Sequence, residues 1–183
     1  SNRLSSTGMV QTRPCEPGDR GGIAELAAAY PFNDLRRYRL FNKARQQAYL
    51  QYRIDGCVQD GSVWVAEDGG RVVAVAAVRP LPWDSSVFAV PMAQIPVFVH
   101  GAGAGARETV ASLADRLVAE CRSSGLRHLN VRIDADDLVL VQELEARGFY
   151  LVDTVVTYTF IPKRQELPHV KHLFATRTYR PED

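Results

Sequence analysis

The run His100-Gly101-Ala102-Gly103-Ala104-Gly105-Ala106 stands between a β-branched stretch, Val97-Phe98-Val99, and a segment with Val110, Leu113, Ala114, Leu117, Val118 and Cys121 at helical spacing. A strand that runs through glycines into a helix start is an anion site on physical grounds. Without Cβ atoms the backbone N–H groups can converge on one ligand, and the first helical turn adds partial positive charge. Taken alone, the glycine pattern fits a flexible helix entry equally well, so the surrounding elements decide.

Other reactive groups are sparse. The strand ahead of the loop, Met92 to Val99, holds no carboxylate. A general base must lie within hydrogen-bond reach of the proton it takes, directly or through one water. Tyr150, Tyr158 and His100 are the nearest groups with a proton to give, and Tyr158 alternates with Val156 and Phe160, a packing pattern. His169 and His172 could share a helical face, but Pro168 and the strand-like residues after them make surface histidines the better reading. Arg36, Arg37 and Arg39 near Lys43 and Arg45 form a basic patch that could meet a phosphate; a solvated helix face is the plain alternative. Cys15, Cys57 and Cys121 are odd in number and widely spaced, which reads as reduced thiols with neither a disulfide frame nor a metal site.

The elements that must position the loop follow from period and punctuation. Val10 to Arg13 reads as a short strand stopped by Pro14, Pro17 and Gly18. Asp19 can cap a helix with Ile23, Leu26, Ala27 and Tyr30 on one side, ended by Pro31. A second helix places Phe41, Ala44, Ala48, Tyr49 and Tyr52 on its apolar face, with Arg45, Gln46 and Gln47 outside. The period then changes to two: Ser62 to Glu67 and Arg71 to Val78 are strands joined by Asp68-Gly69-Gly70, a hairpin. Beyond a corner at Pro80 to Trp83, Val87 to Val99 reads as extended, interrupted by Pro91 and Pro96. Gly125 closes the helix that follows the loop. Leu129, Val131 and Ile133 then alternate with His128, Asn130 and Arg132. A short helix from about Asp137 to Arg147 ends at Gly148, and Tyr150 to Ile161 reads as a strand.

Twenty-two basic and 21 acidic residues in 183 leave a net charge of +1, which argues against a dedicated nucleic-acid binder. Apolar stretches fall far short of the roughly 20 residues of a membrane span, and no apolar core follows a basic start near Met9. A cytoplasmic globular domain with no membrane and no nucleic-acid partner is expected.

From Met9 to about Ile161, the order of elements together with the glycine loop resembles the GNAT superfamily of acyl-CoA-dependent N-acetyltransferases. That family's loop reads Arg/Gln-x-x-Gly-x-Gly/Ala; here it is His100-Gly101-Ala102-Gly103-Ala104-Gly105, with histidine in the Arg/Gln place. The family's later block, Asn-x-x-Ala, a Tyr four residues on, then Gly-Phe, aligns with Asp137, Leu140, Leu144 and Gly148-Phe149. Thr12-Arg13 followed by Pro17 and Asp19 matches its first strand and helix. The resemblance implies an α/β (α+β) fold over residues 9–165, with a mixed, largely antiparallel central sheet flanked by about four helices. It also implies acetyl-CoA as co-substrate, with the pyrophosphate on the loop from His100 and Gly101 through Ala102, Gly103, Ala104 and Gly105 to Ala106. The pantetheine arm would lie along Val97, Phe98 and Val99. At His100, an imidazole with a reference pKa of about 6.5 is expected to be mostly neutral near pH 7.5, with a weaker pull on the pyrophosphate than arginine.

Two departures bear on catalysis. In many relatives the tyrosine protonates the departing thiolate; Leu144 cannot, and no catalytic residue is assigned. Leu81 to Phe88 resembles the Trp-Asp/Glu-Ser-x-x-Phe segment of dTDP-fucosamine acetyltransferases, where it belongs to a front lobe. The plain alternative is a tight turn that buries Trp83 and Phe88 while Asp84 and Ser85 bond backbone. Thr176-Arg177 with Pro181 and Asp183 repeats the spacing of Thr12-Arg13 with Pro17 and Asp19. Residues 166–183 are therefore expected to be a last strand or the start of a second GNAT-like lobe, and residues 1–8 a disordered segment or expression scar. The functional expectation is acetyl transfer to a small amine, an amino sugar among the candidates, with a homodimer or a second GNAT-like lobe as the expected assembly. The alternative is a degenerate, non-catalytic lobe that scaffolds, dimerises or shapes a substrate cleft.

Overall fold

The computed structural model describes residues 10–156 except 34, 37, 39 and 61, and residue 60 in its backbone alone. Tyr158, His169, His172, and the segments 1–8 and 166–183 lie outside the described residues. In chain order the elements are β1 (Gln11–Pro14), α1 (Arg20–Ala29), α2 (Lys43–Asp60), β2 (Val63–Asp68), β3 (Arg71–Ala77), β4 (Arg79–Pro80), α3 (Pro82–Phe88), β5 (Met92–Ile95), β6 (Phe98–His100), α4 (Ala106–Ser123), β7 (His128–Val131) and α5 (Leu138–Glu145).

The strands form two sheets, β1-β2-β3-β6, antiparallel throughout, and β4-β5-β7, in which β5 and β7 run parallel. The β2–β3 hairpin turns at Gly69 and Gly70, whose φ of +56° and +81° suit residues without a Cβ. β5 and β6 are successive parts of one extended stretch, broken at Pro96, which has no N–H for a ladder. Before the break the stretch pairs with β7, and after it with β3. β6 is therefore an edge strand, and a cleft opens between it and the continuation of β7, residues Arg132 to Asp134.

Alternation along the strands supplies two cores, one on each face. Ile23, Leu26 and Ile54 of α1 and α2 pack on Val65, Val75 and Val99. Val110, Leu113, Leu117, Leu140 and Leu144 of α4 and α5 pack on Ala66, Ala74, Ala76 and Phe98. Arg147 fastens α5 to α4 by bonding Asp115 and Glu143, the latter also held by Arg107. Among the described residues, no helix is long and apolar enough to cross a membrane.

Mixed α/β architecture, the hairpin, and the stripe of α4 match the sequence reading; three local expectations do not. The buried face of α2 is Leu50, Ile54 and Cys57, while Ala44, Ala48 and Tyr52 are exposed and Phe41 and Tyr49 lie at the margin. Two stripes competed, and the aliphatic one at i, i+4 and i+7 took the core. Residues 82–88 form a helical turn started by Pro82, and Trp83 and Phe88 are exposed at 73% and 62%, where a tight turn was expected to bury them. Ser85 does bond backbone, its Oγ donating to the Leu81 carbonyl at 2.7 Å and accepting from the Met92 N–H at 2.9 Å. Finally, Tyr150 to Val156 form no strand, although their side-chain types favour one. β-propensity expresses itself through pairing, and these residues have no ladder partner among the described residues.

Candidate functional site

The loop between β6 and α4 is built by glycine. The Gly101 N–H donates to the Val73 carbonyl at 2.8 Å, closing the β3–β6 ladder, and a Cβ at Gly101 would lie 3.4 Å from that oxygen. Gly103 has φ of +123°, which glycine alone adopts without strain. Ala106 and Thr109 then donate to the Gly103 and Gly105 carbonyls, which starts α4. The N–H groups of Ala102, Gly103, Ala104 and Gly105 have no partner among the described residues, and all four residues are exposed. Gly105, the N-cap of this 18-residue helix, offers no side chain to cover them. The result is a row of open donors at the positive end of a long helix.

Beside the loop runs the free edge of β6. The Val97 carbonyl accepts from Ala77 and the Gly101 N–H donates to Val73, so alternation leaves the backbone groups of Phe98 and His100 on the open side. Of the strand Val97 to Val99, expected to offer its backbone to a ligand, only Phe98 faces the open side, joined there by His100; Val97 and Val99 are turned to β3 by the ladder.

The His100 side chain does something else. It is 5% exposed, and its Nε2 lies 3.1 Å from both carboxylate oxygens of Asp137, while Nδ1 is 2.9 Å from the Gly101 carbonyl. The Tyr30 hydroxyl donates to Asp137 Oδ2 at 2.6 Å, and the Leu140 N–H donates to Oδ1 at 3.2 Å. Asp137 thereby caps α5, joins the end of α1 and holds the residue that opens the loop. Both ring nitrogens of His100 thus have an oxygen within hydrogen-bond distance, and Asp137 accepts from Tyr30 and Leu140 besides facing Nε2. Burial pulls the His100 pKa down, but the bond to Asp137, the bond to Gly101 and the carboxylate charge outweigh it and hold it above its ordinary value. Burial likewise pushes Asp137 up, and its bonds from His100 and Tyr30 bring it below the usual range. His100 is thus a buried side chain held by Asp137 and Gly101, with its pKa above the ordinary value assumed from the sequence, and what it presents to the cleft is its backbone.

The cleft wall opposite β6 carries Arg132, Ile133 and Asp134, and α2 supplies Tyr49 and Arg53. Asp134 is held by Arg36, which also reaches Asp136. Leu144 is 2% exposed within the α4–α5 core, so it contributes no proton donor, and Gln94 is the polar residue of β5. Sequence reasoning missed Tyr30, Arg53, Arg132 and Asp134, and gave Asp137 only as an alignment position. Their signals were faint: the acidic run Asp134 to Asp137 straight after a strand, and an aromatic stripe on α2 that the core did not use.

The sequence matches no protein-family model and no curated protein. Solved structures do match. An agmatine N-acetyltransferase mutant in its apo form superposes with a TM-score of 0.60 at 16% identity, over 80% of this chain and 85% of that one. An aminoglycoside N-acetyltransferase crystallised with CoA gives 0.56 at 12%, over 86% and 98%. A GNAT-family acetyltransferase from Streptococcus pneumoniae gives 0.54 at 15%, over 84% and 92%. At such identities a likeness speaks for architecture, and the architecture it establishes is that of the GNAT acetyltransferases.

Proposed function

We propose that this protein transfers the acetyl group of acetyl-CoA to the nitrogen of a small amine. The observation that carries the reading is the four open N–H groups of Ala102 to Gly105 at the start of α4, placed at the end of an unpaired strand edge. Such a row suits a pyrophosphate, and the open backbone groups of Phe98 and His100 suit the amide-bearing pantetheine arm. Acetyl-CoA would supply the activated acyl group; the chain's own part is to hold it and to orient the amine. An amino sugar is one acceptor of suitable size. The second reading is a lobe that binds without catalysing, favoured by the buried Leu144 and by a β5 whose polar residue is Gln94. Calorimetric titration with CoA and a thiol-release assay with acetyl-CoA and an amine panel separate the two. Binding with release supports the enzyme, binding without release supports the lobe, and no binding defeats both.

A further inference from the structure

We propose that the acceptor amine carries an anionic group, a carboxylate or a phosphate, received at the vertex of the cleft by Arg132 together with Arg53. The inference rests on the acetyl-transfer reading and names its substrate class. The parallel pairing of β5 with β7 ends at Ile95 opposite Val131, so the same register places Arg132 level with Pro96. Arg53 reaches that level from α2, its guanidinium donating to the Pro96 carbonyl and lying 5.9 Å from the Tyr49 ring centroid. Leu129, Val131 and Ile133 pack toward α4 and α5, so Arg132 between them projects to the α1–α2 side, where Arg53 and Tyr49 also line the cleft.

Arg132 is exposed and, among the described residues, has no hydrogen bond, ion pair or ring contact. Asp134, the acidic residue of the cleft lining, is neutralised by Arg36. Among the described residues the cleft lining therefore presents the unpartnered guanidinium of Arg132, while its acidic residue, Asp134, already faces a cation. From Pro96 to Gly101 is five extended residues, about 16 Å at roughly 3.3 Å each, so these cations stand too far from the loop amides to share one pyrophosphate with them. A planar guanidinium binds carboxylate and phosphate in bidentate fashion, and a polycationic amine would meet like charge here.

The test uses the full chain and starts with calorimetric titration of CoA. In its presence, glutamate and glucosamine 6-phosphate are titrated as anionic amines, with glucosamine and agmatine as comparisons. Acetyl transfer to each is then followed by thiol release. The anionic amines should bind, and react with kcat/KM about tenfold or more above the others; the glutamate and sugar-phosphate arms show which anion is preferred. Arg132→Glu should raise KM for the anionic amines about tenfold and leave CoA affinity and Tm unchanged, with Arg132→Lys in between. Agmatine preferred over the anionic amines, or an unchanged KM in Arg132→Glu, overturns the inference while CoA binding still stands. Failure of CoA to bind overturns the acetyl-transfer reading itself, and this one with it.

Discussion

Replacing Asp137 with asparagine isolates the charge in the buried cluster that anchors the loop. Asparagine keeps the shape, and it caps a helix about as well as aspartate, so the Leu140 bond survives. What changes are the bond to His100, now made to a neutral oxygen, and the bond to Tyr30, whose hydroxyl now faces an amide N–H and can only accept. A hydrogen bond to a charged partner contributes about 1.5–3 kcal/mol and one to a neutral partner about 0.5–1.5, so the two together lose about 2–3 kcal/mol. The sign with pH follows from the two shifts. His100 sits above its ordinary 6.5, so its contribution is complete below that value and fades as pH climbs through the raised pKa. Asp137 sits below its ordinary 3.8, so its contribution is complete above that value and fades as pH falls through the lowered pKa. The deficit of the variant is therefore largest from about pH 4 to 6.5 and shrinks in alkali. Urea unfolding followed by tryptophan fluorescence at about pH 5.5 and pH 9 measures it. A deficit below about 1 kcal/mol at the lower pH, or the same deficit at both, would refute the buried ion pair.

Gly103→Val should weaken CoA binding at least about tenfold, since φ of +123° is closed to a β-branched residue; calorimetry reads the loss, and unchanged affinity would show that the loop path does not matter. Leu144→Tyr should cost about 1–3 kcal/mol by overpacking and create no new acetyl transfer, as checked by thermal melting and thiol release. Trp83→Ser should stay within about 0.5 kcal/mol of the parent, because Trp83 is 73% exposed; a larger drop in urea unfolding would mean that the ring is covered.

Period and punctuation revealed most of the fold because they act locally. Asp68-Gly69-Gly70 needs only its own backbone to turn, and the stripe of α4 needs only 3.6-residue spacing to find a core. The loop was legible for the same reason. The inner face of α2 was not, since Leu50, Ile54 and Cys57 won over the aromatic stripe only by what β2 and β3 offered them. His100 was misjudged for a longer-range cause: its burial and raised pKa come from Asp137, 37 residues away, and Tyr30 binds the same carboxylate across 107 residues of chain. Arg132 could be placed on a face, but its lack of a partner only became visible once Asp134 was seen to hold Arg36.

The open amides of the loop belong to Ala102, Gly103, Ala104 and Gly105, side chains with nothing to contribute beyond their small size. A binding surface made of main chain is nearly invisible to the usual ways of finding one. Alanine scanning would largely pass over it, since two of its positions are already alanine, Gly105 has a φ open to alanine, and Gly103 would respond through backbone strain alone. Substitution by another small residue at Ala102, Ala104 or Gly105 would leave the donors in place, and only Gly103 is bound to its residue type by its backbone. A chain can thus diverge until sequence comparison finds no relative and still keep its amides where an anion would meet them.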